Sequence, residues 1–421
     1  MEKMNVLIGG VHTGVLQQDD SGSLSFRYVE GYSGIPLSLA MPVRNQPYGD
    51  KRVRPFLFGL LPDSEEVRKS LASEFDVSPR NPFALLRYVG LDCPGAVQIC
   101  DDESLVMVKS REEILTPISD HDIAERLREV RHEGSKWVTD LEHWSLGGQQ
   151  SKFALRREND KWFSAEGAAA TTHILKPGIQ GLTLQALNEF LCLKVASACG
   201  INTAKCDYRL FEDQPAIVVE RYDRIKLQGV VKRVHQEDFC QMLGCLPEHK
   251  YSEEGGPSAA DVIRMLKQTG EDAPDNIRSF VEMLLFNYLI AAPDAHAKNY
   301  SVLLGESRAI MAPLYDVASI LPYKNEITDI RLAMGIAGEN RTGRLSSTRI
   351  AKFVDSNGLE GYGLTAGEVA GILLGLASQI PEAACAVAKE YAHIPGVKEL
   401  SVRIASKLEE LCRISMERVK Y

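Results

Sequence analysis

The first hundred residues carry the alternation of short strands. Two apolar runs between Val6 and Leu16 flank Gly9-Gly10, a hairpin pattern, and residues 24–29 alternate as a half-buried strand does. Pro36, Pro42, Pro47 and Pro55 then punctuate a stretch that reads as loop-rich. Val67 and Leu71, four apart, predict a helix over 64–74. Residues 82–89 predict a second short helix and 97–100 a strand. The acidic patch Asp101-Asp102-Glu103 and the polar run behind it read as a boundary. Beyond it, Ser119 and Asp122 stand three apart as a capping box, ahead of a helix whose apolar stripe is Ile123, Leu127 and Val130.

From residue 145 onward the period shifts from strand to helix. Residues 153–156 and 173–176 read as short strands, 188–199 as a helix closed by Gly200, and 208–211 with 216–220 as a hairpin around Glu212-Asp213. After 235, helices are predicted over 236–244, 258–269, 276–291 and 364–378, with a last one from Glu399. The 276–291 segment is apolar almost all round, which places it in the interior of a large domain. The element order predicts an α+β fold in three parts: a small β-rich module at 1–108, a mixed-sheet lobe at 109–235 and an all-helical lobe at 236–421. A cleft between the last two is the expected ligand site.

Composition narrows the function classes. A chain of 421 residues, 44% hydrophobic and 25% charged, is an ordinary globular protein rather than a disordered or fibrous one. A net charge of −9 argues against general nucleic-acid binding over the whole surface. The most apolar stretch, 280–292, is broken by Glu282 and Asn287 and is too short to cross a bilayer; the start, MEKMNVLIGG, does not read as a signal peptide. Nine cysteines without a C-x-x-C pair read as reduced, mostly buried thiols. A soluble cytoplasmic protein is the expectation.

The chemistry concentrates in a few segments. Pro293-Asp294-Ala295-His296-Ala297-Lys298-Asn299 follows the most apolar helix and offers a carboxylate and, five residues on, an amide. An in-line phosphoryl transfer needs one acceptor for the hydroxyl proton and a second oxygen ligand for Mg2+, and this is the D-x-x-x-x-N spacing of kinase catalytic loops; a plain Asx turn fits the same letters. Asp316 follows as a second carboxylate behind a short strand. Lys176 closes an apolar strand, and Glu189 on the next helix is placed to pair with it. Upstream, Ser145-Leu146-Gly147-Gly148-Gln149-Gln150-Ser151-Lys152 has glycines that let backbone N–H groups approach phosphate oxygens, without Walker A spacing. Residues 218–224 run from apolar strand into charge, which suits a hinge meeting an adenine ring. The motifs H-E-x-x-H, G-x-S-x-G and G-x-G-x-x-G are absent from the sequence. The order of glycine loop, strand lysine, helix glutamate, hinge, D-x-x-x-x-N and a further Asp is the kinase order, and points to a nucleotide-dependent phosphotransferase.

These residues resemble the HipA family of bacterial serine/threonine kinases, the toxins of HipA–HipB modules. The likeness rests on Pro36-Leu37-Ser38-Leu39, Gly59-Leu60-Leu61-Pro62-Asp63-Ser64 and Pro94-Gly95-Ala96 in the first hundred residues. It continues through Gly148-x-Gln150-x-Lys152, Thr172 to Lys176, Asn188-Glu189, Val219 to Arg224, Gln236-Glu237-Asp238, Asp294 to Asn299 and Leu314-Tyr315-Asp316. The resemblance implies a two-lobed kinase-like fold that uses ATP and Mg2+. It implies Asp294 as catalytic base and Asn299 and Asp316 as metal ligands. Lys176 would bind the ATP phosphates. Gly147, Gly148, Gln149, Gln150, Ser151 and Lys152 would form a mobile phosphate loop, and Glu220, Arg221 and Tyr222 would hold the adenine. His296, Lys298 and Tyr315 would also face the nucleotide. Ser145 would be an autophosphorylation site that switches the enzyme off. It further implies a HipB-like helix-turn-helix antitoxin, contact with operator DNA only through that antitoxin, and a protein substrate such as an aminoacyl-tRNA synthetase. A small-molecule phosphotransferase and a non-catalytic antitoxin-binding regulator are the competing readings.

Overall fold

Gly9 and Gly10 both take positive φ and close the first hairpin, in which Glu2–Ile8 pairs antiparallel with Val11–Gln18. Leu24–Tyr28 and the short Tyr48–Gly49 extend the sheet on one side and Val97–Cys100 on the other. The computed structural model describes residues 1–110, 112–133 and 144–419. They gather into two compact units. One holds 1–180, 207–248 and 301–307; the other holds 181–206, 249–300 and 308–421.

The two largest sheets of the first unit are antiparallel. The second sheet has six strands in the order Cys206–Phe211, Gln214–Glu220, His173–Lys176, Phe153–Glu158, Lys161–Gly167 and Glu113–Ile118. Its helix Asp120–Glu133 buries Ile123, Leu127 and Val130 as the stripe predicts, and Ser119 and Asp122 bond reciprocally at its start. One continuous buried cluster runs from Met4, Phe26, Phe56 and Phe83 through Trp144 and Phe153 to Val218.

Several elements depart from the sequence reading. Pro55 lies at the middle of the helix Asp50–Leu60 rather than in a loop: it is buried, and it forfeits one backbone bond there. The polar run after Asp101 holds the helix Asp102–Ser110 and the strand Glu113–Ile118. That strand lies at a sheet edge and has no buried face, so it leaves no alternation to detect. Residues 235–238 are a strand paired with Ser301–Leu304, and only Phe239–Leu243 is helical.

In the second unit, Ala273–Leu289 is buried on nearly every side. The helix expected at 364–378 extends from Ala366 to Glu390. By length and composition it could cross a bilayer, which corrects the reading that no such span exists. Here it packs on Gln185–Ala198, Ala273–Leu289 and Val397–Arg418, burying Val369, Leu373, Leu376, Ala377 and Ile380. The helical part also carries a two-stranded ribbon, Arg331–Ile336 with Glu339–Arg341, and the unforeseen helix Ser347–Asn357. None of the nine cysteines is in a disulfide, and burial pushes the Cys192 and Cys412 thiols up to about 12, which leaves both inert.

Glu237 is a buried carboxyl inside the first unit. Ser38 Oγ lies 2.6 Å from one of its oxygens and the Leu39 N–H donates to the other. Burial, only partly offset by these bonds, raises it from 4.5 to about 8. The folded chain therefore keeps this proton to about pH 8, whereas the unfolded chain loses it near pH 4.5. The stability the group contributes is complete below pH 4.5 and is lost as pH rises toward 8. In Glu237→Gln the amide oxygen can accept from Leu39 and the amide N–H can donate to Ser38. Thermal unfolding of this variant should show a pH 8 stability above wild type by on the order of 1–3 kcal/mol, with a flatter profile from pH 5 to 8. Parallel profiles for the two proteins would contradict this account.

Candidate active site

The helix Ala273–Leu289 ends in a turn at Ala291, which takes φ +51. Asn287 near its end donates to the buried Tyr300 hydroxyl at 2.9 Å, and Phe280 packs edge-on against the Tyr300 ring. Both ends of the 293–300 loop are therefore fixed to a rigid buried support. Within the loop, Asn299 Nδ2 donates to the Asp294 carbonyl at 2.7 Å, and the Asn299 N–H to the His296 carbonyl at 2.9 Å. The D-x-x-x-x-N spacing closes on itself, a ring whose purpose is to present side chains. With its nitrogen committed to that carbonyl, the Asn299 amide offers its oxygen as the remaining ligand atom.

The Asp294 side chain stays 64% exposed. Its Oδ1 accepts from the Tyr251 hydroxyl at 2.7 Å, and His296 Nε2 lies 3.7 Å away. Tyr251 packs edge-on against His296, which is itself buried. Lys298 is buried too, and its carbonyl accepts from Tyr315 at 2.8 Å. The next residue, Asp316, is held with φ +57, a strained conformation for a residue that is not glycine. Leu314 sets its position by exchanging backbone bonds with Asn202 and Ala204. Asn188 on Gln185–Ala198 donates to the Ser319 carbonyl at 2.7 Å, so the helix carrying the buried Glu189 is tied to the segment just behind Asp316. In this unit the sequence-predicted Asp294, His296, Lys298, Asn299, Tyr315 and Asp316 stand together on one loop system.

The first unit gathers the other set. Phe153 pairs with Leu175, so Lys152 and Lys176 come to the same end of neighbouring strands, and both are buried. Ahead of Lys152, Gly148 takes φ +102, and a Cβ on it would sit 2.5 Å from Lys152 Nζ. The positive φ favours glycine here, and the missing side chain leaves room for the ammonium. Ser145 is buried and its Oγ donates to the Leu60 carbonyl at 2.7 Å. Gln149 is exposed, whereas Gln150 and Ser151 are half-buried.

The hinge expected at 218–224 is built differently. Glu220 is exposed and Tyr222 bonds to Gln236, but Arg221 belongs to a buried ionic network. Its guanidinium contacts Asp92, Asp223, Thr171 and the Cys93 carbonyl. Its N–H donates to Thr172. The Arg221 guanidinium is thus committed to this buried network. Burial alone would raise the Asp92 carboxyl, but Arg224, Arg233 and Arg221 outweigh it and hold it well below the usual carboxylate range. Tyr251 and the segment around Leu60 were not anticipated. Each contacts its partner across tens of residues, and no local pattern marks such a contact.

With this geometry in place, comparison with known proteins defines a class. The HipA N-terminal domain family matches residues 4–100 and the HipA-like C-terminal domain family residues 144–384. The chain belongs to the HipA family and has its two-lobed, kinase-like α+β fold; it is a HipA-type kinase. It is 34% identical to Y4mE of Sinorhizobium fredii over 339 residues, 79% of this chain and 80% of that one. It is 30% identical to the serine/threonine-protein kinase toxin HipA of Shewanella oneidensis over 370 residues, 83% of this chain and 80% of that one. The solved complex of HipA, HipB and operator DNA from Shewanella oneidensis MR-1 contains a chain that superposes with TM-score 0.84 at 26% identity, covering 99% of this chain and all of that one.

Proposed function

We propose that this chain is a Mg·ATP-dependent serine/threonine protein kinase that acts as the toxin of a type II toxin–antitoxin module. The observation that carries the reading is the closed loop in which Asn299 pins the Asp294 carbonyl while the Asp294 carboxylate remains exposed. An acceptor hydroxyl replacing that of Tyr251 at Asp294 Oδ1 would give its proton to the carboxylate as its oxygen takes the phosphoryl group from ATP and ADP leaves. Asn299 and Asp316 offer two oxygen donors. Among the described residues there is no cluster of three His, Cys, Asp or Glu that could cage a metal, and a two-oxygen set suits Mg2+ arriving with a nucleotide. Bound there, the metal would neutralise charge on the phosphate oxygens. The Gly148 turn with Lys152 and Lys176 would carry the phosphates, and Glu220 and Tyr222 would flank the adenine.

The regulatory reading is that Ser145 is autophosphorylated. Its burial requires the loop to leave its seat first. The family and the solved relative's complex with HipB and operator DNA support a HipB-like antitoxin as partner, with DNA reached through it. The target class is a translation protein, an aminoacyl-tRNA synthetase. Two assays test the proposal. Titration calorimetry with ATP should show Mg2+-dependent binding that Asp316→Ala weakens by about tenfold or more. In a cell lysate with labelled ATP, label should reach proteins. Label confined to metabolites would overturn the protein-kinase reading.

A further inference from the structure

The phosphate loop is gripped from the N-terminal part of the chain at both of its ends. At the first, the Ser145 N–H donates to the Asp92 carbonyl at 3.2 Å and Ser145 Oγ to the Leu60 carbonyl at 2.7 Å. Trp144 forms a parallel bridge with Asp92 there. At the second, Pro62 and Gly148 form another parallel bridge. The Asp63 N–H donates to the Gly148 carbonyl at 2.9 Å, and the Gly148 N–H points to Asp63 Oδ1 at 3.4 Å. The gripping segment is itself braced. Buried Arg68 donates to the carbonyls of Pro62 at 2.7 Å and Asp63 at 2.8 Å, and Ser64 caps the helix Glu65–Glu74 that carries Arg68. Gly148 is the residue whose missing Cβ makes room for Lys152 Nζ. The Gly148 turn and the Lys152 ammonium therefore lie side by side.

We infer that Asp63 is a positioning residue for the phosphate loop, and that the Leu60–Asp63 segment is the latch that holds Gly148 and Lys152 in place to receive nucleotide phosphates. The inference rests on reading 145–152 as the phosphate loop.

The test uses the full chain with Asp63→Ala and Asp63→Asn; the asparagine variant keeps an oxygen for the Gly148 N–H. Asp63→Ala should raise KM for ATP roughly fivefold with kcat and the KM for the protein acceptor unchanged, and Asp63→Asn should restore most of the loss. Hydrogen exchange in the absence of nucleotide should speed up at 145–150 in Asp63→Ala and remain as in wild type over the 293–300 loop. Unchanged exchange at 145–150 would overturn the latch whether or not the chain is a kinase. Faster exchange with an unchanged KM for ATP would overturn the link from latch to nucleotide. Absence of ATP binding by the wild type would instead place the failure in the kinase reading.

Discussion

Asp294→Asn is expected to lower phosphotransfer by about 10²–10⁴-fold while leaving nucleotide affinity close to wild type. The substitution removes the proton acceptor and little else. The bond from Asn299 goes to the Asp294 backbone carbonyl, so the loop keeps its closure. Tyr251 can still donate to an amide oxygen at the Oδ1 position. The buried supports, Asn287 and Tyr300, are untouched. A loss of turnover with retained Mg·ATP binding would therefore report chemistry rather than misfolding. Steady-state ADP release beside calorimetric ATP titration checks it. Retained turnover would remove Asp294 from the role of base.

The largest stability effect is expected at Asp92. Three guanidiniums, those of Arg221, Arg224 and Arg233, share the buried carboxylates of Asp92 and Asp223. The Asp92 side chain also accepts from the Thr171 N–H at 3.0 Å and hydroxyl at 2.6 Å. Asp92→Ala would leave three buried cations with a single anion and orphan the Thr171 donors. Breaking a buried ionic set by removing one partner costs about 3–5 kcal/mol. Denaturant unfolding should show a loss of that size, and a change below about 1 kcal/mol would mean the network is solvated and weak. The depressed Asp92 and Asp223 carboxyls also fix a sign: their contribution is complete above their ordinary value of 3.8 and is lost as pH falls through their lower folded values. The advantage of wild type over Asp92→Asn should thus hold steady above pH 3.8 and shrink as pH falls below it.

What the sequence disclosed follows from the range of each signal. The first hairpin, the Ser119–Asp122 box and the Asp294–Asn299 ring are each closed by contacts within a few residues, and all three were legible. Asn159-Asp160, Gln228-Gly229 and Ala337-Gly338 all take positive φ and close hairpins, at 158–161, 227–230 and 336–339, that apolar periodicity did not reveal. The ionic network of Arg221 is not legible in the sequence, because an arginine at the end of an apolar strand looks solvated until its partner is known, and Asp92 lies 129 residues away. Tyr251 meets Asp294 across 43 residues and Ser145 meets Leu60 across 85. No spacing rule reaches that far, so the residues that hold the loop in place surface only with the fold, whereas those proposed to perform the chemistry stand in short motifs.

The central claim is that Asp294 serves phosphoryl transfer to a hydroxyl. The most direct test is intact-protein and peptide mass spectrometry of the purified chain after incubation with Mg·ATP, with Asp294→Asn in parallel. One added phosphate, located on Ser145 in wild type and absent from the variant, is the predicted result. Wild-type protein that binds ATP yet transfers phosphate neither to itself nor to any lysate protein would contradict it.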